Sequence, residues 1–351
     1  MKGLRKYLPP FAPDISGASS VLYEMGGILV ICDAGGCTGN VCGFDEPRWF
    51  VKRSCIFSAG LRDMDAIFGR DDKLVEKLKE ASEQIKAEFA CVIGTPVPAV
   101  IGTDYHALKR MAEKKVSLPV LTVETTGMRQ YDIGEELAYM ELFRTFAKEQ
   151  KDTESGMFGV IGATPLSVSD LEFKKKIEEK YPDKKIACYG LGDGLDAVKR
   201  ASAAEKNLVV SPSGLKAARE LEKRFGIPYE VTYPLENILL EELFGKLKLS
   251  ETKDVRKILI IHQQVLANEL REKIREHFPE TEEITVASFF MMKPTLKEKN
   301  DISLKQEDDL LELAREGGYT HVIADSMLKP MFNEKTIFFD IPHFACSGRM
   351  F

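Results

Sequence analysis

Long apolar runs are absent from this sequence. No stretch approaches the roughly 18 consecutive apolar residues that a bilayer-spanning helix needs, so no membrane span is expected. The basic start is not followed by a continuous apolar segment of signal-peptide type, and the expected location is cytoplasmic. Excess positive charge is missing as well. Lys and Arg number 49 against 55 Asp and Glu, a formal net charge of -6, which leaves no electrostatic footprint for nucleic acid or an anionic membrane. The seven cysteines are an odd number in a large chain without a leader, so a disulfide framework is not expected and metal binding or plain burial is favoured. Nucleotide loops are lacking too. There is no G-x-x-x-x-G-K-[ST] segment, and Gly190-Leu191-Gly192-Asp193-Gly194 misses the G-x-G-x-x-G spacing because Leu195 follows, so it reads as a tight strand-to-helix turn.

What is present is an alternation of short β-type runs with amphipathic helical stretches, the pattern of parallel α/β layers. Strands are expected at Gly27 to Cys32, Ala90 to Ile93, Val120 to Val123, Gly159 to Gly162, Lys185 to Tyr189, Leu208 to Ser211, Lys257 to Ile261, Ile284 to Ser288 and His321 to Ala324. Covering helices are expected at Lys73 to Phe89, Glu135 to Ala147, Leu215 to Arg224, Ala267 to His277 and Glu307 to Glu316. Polar stretches at Lys148 to Ser155 and Leu247 to Val255 break the rhythm. They divide the 351 residues into three Rossmann-like units, 1–150, 151–250 and 251–351, each a parallel sheet flanked by helices.

Chemistry concentrates in Gly35 to Cys42, Gly-Gly-Cys-Thr-Gly-Asn-Val-Cys, which follows the first apolar run. The glycines free the backbone for positive φ and close approach, so this segment reads as a turn able to wrap a metal cluster, with Cys37 and Cys42 at the carboxyl end of a strand. Cys55 and Cys32 are near enough in sequence to replace or support them. The alternative is that all four are small buried hydrophobes.

Several further segments occur in an order that resembles the nitrogenase component 1 superfamily. Ser16-Gly17-Ala18 resembles its opening loop and Gly36-Cys37 its glycine-cysteine cluster turn. Ser58 to Gly69 is similar to its small-residue turn, acidic helix start and apolar-Phe-Gly end. Ala99 to Asp104 resembles its Ile-Gly-Asp-Asp segment, Glu124 to Met128 its Thr-Pro-Gly-Phe turn, and Phe225 to Tyr229 its Gly-Ile-Pro strand start.

The resemblance implies a nitrogenase-like oxidoreductase component, a homodimer or a heterotetramer with a similar subunit. It also implies an ATP-dependent reductase like the nitrogenase iron protein, which delivers low-potential electrons through a subunit-bridging [4Fe-4S]-type cluster to a substrate held between the three units. Assembly relatives of the same superfamily imply the alternative, a scaffold or carrier for a metallocofactor or tetrapyrrole. Departures narrow this. Of three cluster cysteines usual in the family, only Cys37 stands in place, the others falling near Pro13 and Pro96, and Cys91 comes about five residues too early. No cysteine stands near Ala218, where a molybdenum cofactor would be held, so that cofactor is not expected. The proposed cofactor-binding residues are Cys37, Cys42 and Cys55, with Cys37 and Cys42 as the metal ligands completing a four-thiolate set across a two-fold axis.

Lesser candidates follow. His262, with Gln263 and Gln264 after a strand, reads as an ordinary loop histidine or as a substrate ligand pointing into the cleft; His343 and Cys346 read as structural. His106 and His321 read as surface or strand-end residues. Arg48-Trp49 and Arg62 flank the cysteine turn and read as an electron-accepting surface or substrate contacts, or, for Trp49, as a packing anchor.

Overall fold

The computed structural model describes residues 5–69, 71–150, 156–248 and 257–351. The expected unit breaks include 151–155 and 249–256, which lie outside the described residues. The chain runs α1 (Asp14–Leu22), β1 (Ile28–Ile31), α2 (Gly36–Asn40), β2 (Ile56–Ser58), α3 (Asp63–Phe68), α4 (Asp71–Gln84), β3 (Ala90–Ile93), α5 (Pro96–Ile101), α6 (Tyr105–Glu113), β4 (Val120–Val123) and α7 (Tyr131–Phe146). A second series follows: β5 (Met157–Ile161), α8 (Pro165–Val168), α9 (Phe173–Lys180), β6 (Lys185–Tyr189), α10 (Leu195–Lys199), β7 (Lys206–Val209), α11 (Leu215–Phe225), β8 (Tyr229–Val231) and α12 (Asn237–Lys248). The last is β9 (Lys257–Ile261), α13 (Gln264–His277), β10 (Glu283–Ser288), β11 (Ile302–Ser303), α14 (Glu307–Glu316), β12 (His321–Ala324), β13 (Ile337–Asp340) and α15 (Phe344–Ser347).

These strands make three wholly parallel sheets, in the orders β2-β1-β3-β4, β6-β5-β7-β8 and β11-β10-β9-β12-β13. In each, the first strand lies inside and later strands pair on both sides of it, so the direction of winding reverses beside it. That reversal leaves a crevice at the carboxyl ends of the strands, the usual place for a ligand in open α/β sheets. The inner strands are apolar and covered on both faces: Ile28, Leu29, Val30 and Ile31 are all buried, as are Ala90 to Ile93, and the edge strand β4, Val120 to Val123, is buried as well.

One helix pair fixes the arrangement. Helix α1 crosses α7 so closely that a Cβ on Gly17 would stand 1.8 Å from the Tyr131 carbonyl oxygen, and one on Gly134 would stand 1.7 Å from that of Asp14. Asp14 then accepts from the amides of Thr126 and Gly127 and from Arg129 Nε, tying the start of α1 to the turn after β4. With α7 seated there, its first turns reach both later sheets: Asp132 accepts from the Met291 amide and Glu135 from Thr164, Ser167 and Ser213.

Two expectations need correction. The helix after β2 ends at Gln84 instead of running to Phe89. Phe89 is fully buried on the other side of the sheet, where the absent side chain of Gly27 makes room for its ring and Phe146 packs 5.5 Å away. Gly35 to Cys42 is not an open turn. Only Gly35 takes a positive φ, 122°, and the chain then enters α2 and a single π-helical turn, Val41–Asp45, closed by the Glu46 amide donating to the Val41 carbonyl over 2.9 Å.

Candidate functional site at the carboxyl edge of the first sheet

The cysteine-bearing helix is braced at both ends. Asp33, buried just past β1, accepts from the Thr38 amide (2.8 Å), the Thr38 hydroxyl (3.0 Å) and the Ser58 hydroxyl (2.6 Å), which ties α2 to the end of β2. Asp45 accepts from Ser16 (2.6 Å) and Asn40 (2.7 Å), joining the π turn to α1. Cys37 and Cys42 sit between these anchors, each half-buried against the core that contains β1 and α7. Burial, with Asp33 adding to it, pushes the Cys37 thiol above its ordinary range, and burial with Glu46 does the same for Cys42. Burial, reinforced by the two acidic neighbours, thus disfavours the thiolate form of both sulfurs.

Cys55 is placed differently. It precedes β2, and its carbonyl accepts from Leu29, so it stands three residues, about 10 Å of strand, from Ser58, the residue that touches Asp33. Cys32, Cys91, Cys188 and Cys346 are buried in the cores, where burial lifts the Cys32 thiol to about 12. Among the described residues no group of three or more His, Cys, Asp or Glu side chains is arranged to hold a metal ion.

Around the cysteines the surface is apolar. Among the described residues, all the exposed large apolar side chains except Ile238 and Phe351 fall between Phe44 and Met128. Each of the four carboxyl-edge loops of the first sheet presents some: Phe44 after β1, Met64 and Ile67 after β2, Val97, Val100 and Ile101 after β3, Met128 after β4. Phe44, Ile67, Val100 and Met128 are each more than 70% exposed. The loops lie against one another: α3 touches α5, and Gly127, at φ 71°, leaves only space enough for Pro96 of α5. Surfaces of this kind mark places where another molecule docks.

Arg48 corrects the expectation of an electron-accepting surface. It is buried, bonded to Glu46 (Nε and Nη2, both 2.7 Å), Glu24 (3.2 Å), the Ser20 carbonyl (2.7 Å) and the Gly190 carbonyl (2.7 Å), with its guanidinium 4.6 Å from the Tyr23 ring. It is a pin between the first sheet and the glycine turn after β6, whose Gly192 amide also donates to Glu24. That turn is a tight one, as expected, with Asp193 accepting from the Cys188 amide. Trp49 packs on the first core, Arg62 stands exposed at the start of α3, and His321 is buried at the start of β12.

The centre, where all three sheets meet at α7, is closed. His262 is buried and stacks on His343 with ring centroids 4.3 Å apart; its Nε2 faces the Pro342 carbonyl at 3.1 Å. His343 Nε2 in turn meets the Tyr131 hydroxyl at 3.1 Å. Gln263 and Gln264 are spent on backbone groups of Val210, Val265 and Lys293. The cavity left between His262, His343, Asp325 and Cys346 is about 10 Å³, room for one water. Nearby, Glu135 fills the crevice of the second sheet, its carboxylate received by hydroxyls at the ends of β5 and β7. Sequence reasoning missed Glu135, Asp33 and the His262–His343 contact. The signal for the first was an acid among apolar neighbours on one helical face.

A profile of nitrogenase component 1 type oxidoreductases matches residues 14–236. The chain belongs to the nitrogenase component 1 type oxidoreductase family. Curated relatives include the nitrogenase iron-molybdenum cofactor biosynthesis protein NifE of Bradyrhizobium diazoefficiens, 29% identical over 180 residues, which is 49% of this chain and 32% of that protein. NifE of Clostridium pasteurianum is 26% identical over 175 residues, 49% of this chain and 38% of its own length. The matched part thus spans well under half of either relative. A solved structure titled nitrogenase Cp1 at pH 6.5 overlays 97% of this chain and 87% of its own with a TM-score of 0.71 at 12% identity, a likeness of fold. The nitrogenase component 1 profile covers the cysteine helix, the apolar loops and α7, and stops before the third sheet.

Proposed function

We propose that this chain is a scaffold or carrier on which a metal cluster, of iron–sulfur type, is assembled or held between two similar chains. The observation that carries this reading is the pair of half-buried thiols, Cys37 and Cys42, beside an exposed apolar surface contributed by all four carboxyl-edge loops. Two thiols from each of two chains make the four anionic ligands such a cluster takes, and the apolar loops close over it. Burial, with acidic neighbours adding to it, disfavours free thiolates here, so metal binding would be coupled to proton release. The naming of the curated relatives as cofactor biosynthesis proteins supports the same reading. Catalytic reduction of a substrate between the three sheets needs an open chamber, and the side chains of Tyr131, Glu135, His262 and His343 fill that place.

The test is iron and sulfide analysis with electron paramagnetic resonance on anaerobically purified protein. One cluster per pair of chains is expected, absent in both Cys37→Ala and Cys42→Ala. A cluster that survives both substitutions sinks the assignment. Scaffold and catalyst part on the next step: a scaffold passes its metal to an acceptor protein, whereas a catalyst supplied with an ATP-dependent reductase turns substrate over many times per cluster.

A further inference from the structure

Two sizeable cavities lie away from both the cysteine helix and the central junction. They flank the same stretch, 233–238, which leads into α12. The inner one has a volume of about 300 Å³, and the outer, a groove of about 660 Å³, shares with it the side chains of Lys176, Leu235, Glu236 and Ile238. A cavity of 300 Å³ is the size that accepts a small organic molecule. Its floor is rigid and aromatic. Phe173 and Tyr233 are buried with ring centroids 5.3 Å apart, and the Tyr233 hydroxyl donates to the Val168 carbonyl over 3.4 Å.

The polar wall is unbalanced. One cation, Lys176, faces three carboxylates, those of Asp170, Glu236 and Glu242. Lys176 is already engaged, paired with Asp170 at 2.6 Å and with Glu236. Glu242 forms no ion pair among the described residues. Aromatic faces beside surplus carboxylates attract positive charge and repel anions. At the mouth stands Ile238, 69% exposed, an apolar surface that a bound ligand would cover.

We propose that this cavity is a binding site for a small organic cation, an ammonium group on an aromatic or aliphatic body. The body lies on Phe173, Tyr233 and Leu239, and the charge is received by Glu242 beside the Asp170–Lys176–Glu236 group. The site is separate from the cysteine helix, so its occupancy can be read without any metal bound.

Calorimetric titration of the full chain with phenethylammonium, the neutral isostere 2-phenylethanol and the anion 3-phenylpropionate tests it. The amine is expected to bind saturably and about tenfold or more tighter than the alcohol, with no binding of the acid. Glu242→Gln, a change at an exposed side chain that leaves folding intact, should remove most of that preference. Leu239→Trp, checked for folding by circular dichroism, should fill the cavity and abolish binding. No saturable binding of the amine up to about 10 mM, equal affinity for amine and alcohol, or unchanged binding in Glu242→Gln would each overturn the proposal.

Discussion

Replacing Glu135 by glutamine is expected to stabilise the protein at alkaline pH and to flatten its pH dependence. Burial, opposed by the hydroxyls of Thr164, Ser213 and Ser167, pushes this carboxyl from the ordinary 4.5 up to about 8. In the unfolded chain it ionises near the ordinary value. Between the two values the unfolded chain has released the proton while the folded chain retains it. The contribution is therefore fully present below about pH 4.5 and is lost as pH rises through about 8, at about 1.4 kcal/mol per pH unit. Over the whole interval this amounts to roughly 5 kcal/mol. Glutamine keeps the shape and has no proton to lose. Asp132, buried on the same helix and raised by burial to about 6, titrates in both proteins, and because its charge also raises Glu135 that coupling is part of the measured difference. Urea unfolding of wild type and Glu135→Gln from pH 5 to pH 9 gives the stability difference directly. It should move steadily in favour of the variant and level off beyond the folded-state value. A difference that stays constant across the range, or moves the other way, refutes the reasoning.

His262 carries the opposite dependence. Burial, resisted by the Pro342 carbonyl and Asp325, pulls its imidazole down to about 4, so its contribution is present above about pH 6.5 and lost as pH falls toward 4. His262→Phe should abolish roughly 3 kcal/mol of that acid sensitivity, seen as a smaller drop in urea midpoint between pH 7 and pH 4. Gly134→Ala drives a methyl into the Asp14 carbonyl and should cost about 3 kcal/mol or more; a loss below about 1 kcal/mol in thermal unfolding would refute the close helix crossing. Arg48→Met strands the buried Glu46 and should cost about 3–5 kcal/mol, with Arg48→Lys failing to restore it because one ammonium cannot reproduce the forked contacts.

Strands that are short apolar runs with most residues buried were legible, whether inside a sheet or at its edge: β3, β4, β6, β9 and β12 begin and end where the sequence suggests. The edge strands β2, β11 and β13 were not. They are two to four residues long and partly exposed, so neither length nor alternation marks them. Helix α1 was invisible for another reason: it is buried all round and reads Asp-Ile-Ser-Gly-Ala-Ser-Ser-Val-Leu, so small polar residues take the place of an apolar stripe. At the site, the spacing of Cys37 and Cys42 was readable, but their helical setting was not, because glycine propensity argued for a turn and the Asp33 anchor is a tertiary one. Arg48 read as surface because three of the residues that accept from it, Ser20, Glu24 and Gly190, are remote in sequence and meet it only in the fold. His262 and His343 are 81 positions apart and meet only through the order of the third sheet.

Whether the proposed cluster would belong to one chain or to two can be decided at the apolar loops without touching a thiol. Ile67 on α3 and Val100 on α5 are more than 70% exposed and far from the cores, so aspartate at both leaves the fold intact. A stable interface buries about 800 Å² per partner and fails when charges enter its apolar centre. Ile67→Asp with Val100→Asp should therefore convert a dimer into a monomer by light scattering. If the two chains share the cluster, iron content falls to background in this variant although Cys37 and Cys42 are unchanged, and it returns on mixing with no wild-type chain. If the monomer keeps its iron, a single chain suffices and the bridging arrangement is wrong. Loss of iron together with loss of helical signal would instead mean that the substitutions reached the core, and circular dichroism separates that case.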